Sequence, residues 1–179
     1  MSLRESIQVS LLLGIGALLH LITPQILPGM KPDPSLAMLF VVVMLHRNIR
    51  PIILAGMVAA LLAALTGTPG MQVANLIDKF STTLIVYLVL VKPMYGKIND
   101  KVLAGICGLF GTMISGGIFL TAAIFVLGLE MNFTALYATI VLPTAIINTV
   151  VTVVLYPLVV FSKNVVEKTS VYKSYNRKA

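Results

Sequence analysis

The chain has 179 residues, 58% of them hydrophobic and only 11% charged, with a mean hydropathy of +0.99. This excludes a soluble domain and leaves an integral membrane protein of about six spans of about 20 residues each, with no room for a soluble catalytic or nucleotide-binding domain. The formal charge of +7 reads as loop charge rather than a nucleic-acid surface, and the single cysteine, Cys107, offers no disulfide framework and no metal or redox motif.

A first span is predicted over residues 6–27, retained rather than cleaved as a signal peptide. It carries Ser10 and Gly14 at small-xxx-small spacing, then His20, then Pro24 near its end. Next comes Pro28-Gly29-Met30-Lys31-Pro32-Asp33-Pro34, a charged loop stiffened by prolines. Asp33 as N-cap and Pro34 at the first helical position start a second helix, which ends at His46. That helix covers only roughly 20 Å of a hydrocarbon core about 30 Å thick. The loop is therefore expected to be drawn into the membrane. Exposed backbone is tolerated at that depth only where protein surrounds it or it lines a cavity, so the loop is a candidate wall of a binding site.

The third span, residues 51–66, presents Gly56, Ala60 and Ala64 at four-residue spacing, a face for tight internal packing. A fourth helix is expected over residues 76–91, with Asn75 as N-cap and Asp78 completing a capping box. Asp78 and Lys79 then fall at or just beneath the outer boundary. The fifth span, residues 102–129, is rich in small residues, among them Gly108, Gly111, Ser115 and Gly116. The sixth, residues 133–161, contains Pro143 and Pro157 and a polar stripe of Thr144, Asn148 and Thr152. An asparagine in mid-span usually bonds a neighbouring helix, though it also has the reach for a ligand. The predicted fold class is all-α: a six-helix transmembrane domain over residues 1–162, followed by a basic tail over residues 163–179 that suits anionic head groups.

Charge placement predicts the orientation. Arg4, Arg47, Arg50, Lys92, Lys97, Lys101, Lys163, Lys168, Lys173, Arg177 and Lys178 fall on one side, against Lys31 and Lys79 on the other. By the positive-inside rule both termini are cytoplasmic and the two lone lysines face outward.

The chain holds no HExxH, no Ser-His-Asp arrangement, no phosphate loop and no histidine-carboxylate spacing for a metal. An enzyme, a cofactor and a metal site are not expected. On the outer side, Lys31 and Lys79 stand with Asp33, Asp78 and Glu130. Such a mixed set suits a zwitterion, its carboxylate on lysine and its ammonium on aspartate. The plainer reading has the lysines snorkelling, the aspartates capping helices and Glu130 solvated. Both readings stand on these residues alone.

His20, Pro24, Gly29-Met30-Lys31-Pro32-Asp33 and Asn75-Leu76-Ile77-Asp78-Lys79 together resemble the tryptophan-transporter family of bacterial and archaeal membranes, whose members resemble the substrate-binding S components of energy-coupling-factor transporters. The resemblance implies a six-helix protein that binds L-tryptophan from outside and takes part in its uptake. By position it implies that Lys31, Asp33, Asn75, Asp78 and Lys79 flank the substrate. Met30, Met71, Phe80 and Phe133 are the nearby apolar candidates for the indole, and Asn148 is a further candidate contact. In S components a small-residue motif on the first helix docks a membrane coupling subunit; Ser10 and Gly14 would be its counterpart. The alternatives are an S component for another small metabolite or vitamin and a six-helix scaffold of cell-envelope assembly, which has no need of a charged outer loop beside a short helix.

Overall fold

The computed structural model describes residues 3–24, 31–130 and 132–176, with side chains through residue 165 except Arg4. They form six helices: α1 (Leu3–Ile22), α2 (Pro34–Leu45), α3 (Ile49–Thr66), α4 (Gln72–Met94), α5 (Asp100–Phe125) and α6 (133–176). All but α2 are long and apolar enough to cross a bilayer. The protein is thus a polytopic all-α bundle.

The organising element is α2. Of its twelve residues ten are buried, because the run PSLAMLFVVVML has no polar face, and a helix apolar all round belongs inside. Phe40 lies against Gly111 of α5, and Met38 against Gly16 of α1. Lipid tails are as apolar as these side chains, so close packing holds α2 in place rather than exclusion from water. The longer helices enclose it and turn apolar faces outward, as with Leu11, Ile15, Leu18 and Ile22 on α1 and Val150, Val154 and Leu158 on α6.

Small residues set the remaining approaches. Gly56 of α3 packs on Phe80 and Thr83 of α4, and Gly108 of α5 meets the backbone of Thr149 on α6. Ser10 and Gly14 behave differently. Ser10 is exposed, and a Cβ on Gly14 would meet nothing within 4 Å, so no described helix of this chain packs on that pair.

Several boundaries depart from the sequence expectation, among them the end of α1, which stops at Ile22 with Thr23 and Pro24 outside the helix instead of continuing toward residue 27. α4 begins at Gln72, not residue 76, because the turn at Thr68 to Gly70 delivers the chain early: Met71 N–H donates to Thr68 O at 3.1 Å, and Gly70 takes φ 87°. Asn75 is consequently no N-cap. Its own N–H bonds Met71 O at 2.9 Å, and there is no capping box with Asp78. α4 then has 23 residues, about 34 Å of helix, and Asp78 and Lys79 lie inside it rather than at its rim. α5 ends at Phe125, short of residue 129. α6 runs without a break through Pro143, Pro157 and most of the basic tail, to Asn176, with one π-turn where Leu142 N–H bonds Tyr137 O five residues back.

Candidate functional site

Pro34 at the first turn of α2 forces Asp33 into the capping position, and the Asp33 carboxylate accepts from Leu36 N–H at 3.1 Å and from Ser35 Oγ at 2.5 Å. The expected cap is present. Its depth comes from another contact: Asp33 N–H donates to Asn148 Oδ1 at 2.9 Å. Asn148 lies fifteen residues along α6 from Phe133, about 22 Å of helix. The residues just before α2 therefore reach well into the bundle, as its short length predicts.

Around Asp33 the buried polar groups converge. Lys79 Nζ lies 3.1 Å from Asp33 Oδ2 and 3.1 Å from Asp78 Oδ2. Asp78 is held further by Ser115 Oγ, which donates to Oδ2 at 2.9 Å, and by Thr82 Oγ1, which donates to Oδ1 at 2.8 Å. His20 Nδ1 stands 3.2 Å from Asp33 Oδ1, but it is not aligned for a hydrogen bond and has no other partner among the described residues. Two carboxylates thus share one lysine in a site closed off by α1, α2, α4 and α5. Asp78 is 1% and Lys79 7% exposed, which at this depth requires that charges be paired and hydrogen-bonded.

The cluster forms part of the wall of a cavity of about 610 Å³, within the range of roughly 300–1,000 Å³ usual for small-molecule sites. Lys31, Asp33, Asn75, Asp78, Lys79 and His20 contribute from one side. Leu120 and Phe119 of α5 and Leu136, Ile140 and Val141 of α6 give the other side an apolar surface. Lys31 is half-buried and, among the described residues, no carboxylate pairs with it. A second depression, about 590 Å³, lies between α4, α5 and α6. It is lined by Ile77, Met113, Phe125 and Tyr137 among others, with no charged side chain, so it has no partner for a zwitterion.

The sequence-derived candidates fall unevenly on this geometry. Lys31, Asp33, Asn75, Asp78 and Lys79 come together at the cavity. Asn148 does not line it: the side chain is fully buried, with Oδ1 on Asp33 N–H and Nδ2 donating to Thr112 Oγ1 at 3.3 Å. It positions the head of α2. Glu130 is exposed and away from the cavity. Met30 lies outside the described residues. Of the other apolar candidates, Phe80 packs toward α3 at Gly56, Met71 precedes α4 without lining the cavity, and Phe133 stacks on Tyr137 at the second depression. The apolar wall instead comes from α5 and α6. Its α5 part was readable as Thr112, Ser115, Gly116 and Phe119, a helical face at i, i+3, i+4 and i+7.

A multi-pass helical bundle with a cavity holding charged groups of both signs is the build of a membrane transport protein. Residues 2–164 match the family model described as Tryptophan transporter TrpP, and the chain belongs to that family. It is 46% identical to a probable tryptophan transport protein of Clostridium acetobutylicum, covering 93% of this chain and 97% of the relative. Probable tryptophan transport proteins of Bacillus subtilis and Clostridium perfringens are 34% and 36% identical, over 89% and 84% of this chain and 92% and 87% of the relatives. No solved structure matches the chain. Family and relatives are transport proteins, not enzymes.

Proposed function

We propose that this protein binds L-tryptophan in the cavity between α1, α2, α4, α5 and α6 and takes part in its uptake from the outer side of the membrane. The observation that carries the reading is the sharing of Lys79 by Asp33 and Asp78. With two carboxylates and one ammonium, the cluster accommodates a second positive charge, and the amino group of an amino acid supplies it. The ligand carboxylate pairs with Lys31, Asn75 hydrogen-bonds the polar end, and the indole lies against Phe119, Leu120, Leu136 and Ile140. Family membership and the names of the relatives support tryptophan as the solute.

The distribution of lysine and arginine supports an outward-facing cavity with both termini cytoplasmic. Reporter fusions at Gly70 and Ala179 test this and are expected on opposite sides of the membrane. Lipid surrounds the bundle, and Ser10, which is exposed, with Gly14, whose Cβ position is open, supports a contact there on α1 with an energy-coupling membrane subunit.

The deciding experiment is equilibrium binding of labelled L-tryptophan to the purified protein in detergent, with phenylalanine, tyrosine, indole and thiamine as competitors. Saturable binding that these displace poorly is expected. Absence of binding in folded protein, or displacement by thiamine, overturns the assignment.

A further inference from the structure

The two carboxylates that share Lys79 differ in what they can reach. Asp78 borders the cavity, but only 2% of its side chain is exposed, against 18% for Asp33. Asp78 is also committed on both oxygens. Thr82 Oγ1 donates to Oδ1 at 2.8 Å, and Ser115 Oγ donates to Oδ2 at 2.9 Å, beside the Lys79 ammonium. Both hydroxyl donors are buried, Thr82 on α4 and Ser115 on α5, so this carboxylate is fixed from two helices.

Asp33 is bound differently. Ser35 Oγ and Leu36 N–H, the local contacts of the cap, both go to Oδ1. Oδ2 has Lys79 Nζ at 3.1 Å as its one partner among the described residues, although a carboxylate oxygen accepts two hydrogen bonds. Lys79 Nζ in turn reaches Asp33 Oδ2, Asp78 Oδ2 and, at 3.4 Å, Ser115 Oγ. If Lys79 gives up Asp33, it keeps a buried carboxylate and a hydroxyl, and its charge stays paired. If it gives up Asp78, a fully buried carboxylate is left without a counter-charge, which is the costlier change.

We infer that Asp33 alone receives the ammonium group of the bound amino acid, and that Asp78 is a positioning residue that retains Lys79 when the ligand takes Asp33. This rests on the proposed tryptophan site and divides between two residues the role which that reading gives to the cluster as a whole. The Lys79 ammonium on Asp33 Oδ2 marks the place of the ligand's own. Binding exchanges one N–H···O contact on Asp33 for another, and two carboxylates then face two ammonium groups with no charge unpaired.

The test compares L-tryptophan with indolepropionate, which keeps the ring and the carboxylate and lacks the ammonium, by equilibrium binding to the full chain in detergent. Each variant is checked for folding by thermal unfolding. Wild type is expected to prefer tryptophan by about tenfold or more. Asp33→Asn, in which asparagine still suits the cap of α2, should lose most of that preference, with the loss falling on tryptophan and not on indolepropionate. Two double variants separate position from charge, because each removes one carboxylate together with the lysine and so keeps the net charge of the cluster. Asp78→Asn with Lys79→Gln retains Asp33 and should keep the preference; Asp33→Asn with Lys79→Gln retains only Asp78 and should lose it. An unchanged preference in folded Asp33→Asn, or equal preferences in the two folded double variants, overturns the inference alone. No preference in folded wild type, or no tryptophan binding to it, overturns the underlying site reading and this inference with it.

Discussion

Asp33 and Lys79, forty-six residues apart in the chain, meet at 3.1 Å between Oδ2 and Nζ. The contact joins the cap of the central helix α2 to the second turn of α4, so the piece that gives the cavity its depth is tied electrostatically to the piece that gives it charge. Lys79 also holds Asp78. Removing one member of such a buried set leaves a charge uncompensated, which costs about 3–5 kcal/mol, more than the intact pair contributes over apolar residues of the same volume.

That asymmetry yields the first prediction. Lys79→Met leaves two carboxylates close together and should lower the stability of the detergent-solubilised protein by about 3–5 kcal/mol. Asp33→Asn in the same chain should recover part of the loss, because it removes one of the stranded charges. Thermal unfolding of the two single variants and the double variant reads the coupling. Strict additivity would mean that the Asp33–Lys79 contact has no energetic weight.

Lys31 should respond in the opposite manner. Among the described residues no carboxylate pairs with it, so Lys31→Ala is expected to leave unfolding within about 0.5 kcal/mol of wild type. Tryptophan binding should weaken about tenfold or more through loss of a charge-assisted contact. Titration of folded Lys31→Ala with labelled tryptophan checks this, and unchanged affinity would remove Lys31 as the carboxylate partner.

Much of this was legible in the chain, for reasons that differ by residue. The position of Asp33 followed from local rules: a proline at the first helical position leaves the residue before it to cap, and a helix of twelve residues cannot reach both faces of a bilayer. Asp78 and Lys79 were recognised but placed in the first turn of α4, whereas they lie in its second. Asn75 looked like a cap, and the turn closed by Gly70 at φ 87° moved the helix start to Gln72. The apolar lining of the cavity was not anticipated, for a different reason. Phe80 and Met71 are close in sequence to the charged residues; Phe119 shares a helical face with Thr112, Ser115 and Gly116, but that Leu136 and Ile140 of α6 meet this face at the cavity follows only from tertiary packing, which no local pattern reports. Small residues on α5 announced close helix contact, and Gly108 and Gly116 make it. Their spacing did not disclose that Ser115, between them, holds Asp78.

Asn148 links folding and binding without touching the cavity. It accepts from Asp33 N–H at 2.9 Å and donates to Thr112 at 3.3 Å, so Asn148→Leu strands a buried backbone N–H at the head of α2. A loss of about 1–3 kcal/mol is expected. Tryptophan affinity should fall with it, because Asp33 loses the contact that fixes its depth. The paired readout of melting temperature and Kd separates this from Lys31→Ala, where only Kd moves. A stable variant with normal Kd would show that Asn148 positions nothing the ligand needs.

Two glycines test which close approaches belong to the fold and which face outward. A Cβ on Gly108 would stand 2.7 Å from the Thr149 Cα, a backbone atom that moves only if α5 and α6 separate. Gly108→Ala should therefore destabilise by about 1–3 kcal/mol and weaken binding, since both helices wall the cavity. A Cβ on Gly14 meets nothing within 4 Å. Gly14→Ala should leave stability unchanged or raise it by up to about 1 kcal/mol, as removing a helix glycine does. The larger Gly14→Leu should likewise keep the fold and tryptophan binding in detergent, because Ile15 and Leu18 on the same helix already face outward. Its effect is expected in cells: if a coupling subunit docks on α1 at Ser10 and Gly14, a leucine there holds the partner helix off, and uptake of labelled tryptophan falls while purified protein binds normally. Normal uptake by Gly14→Leu would move the coupling contact to another face of the bundle.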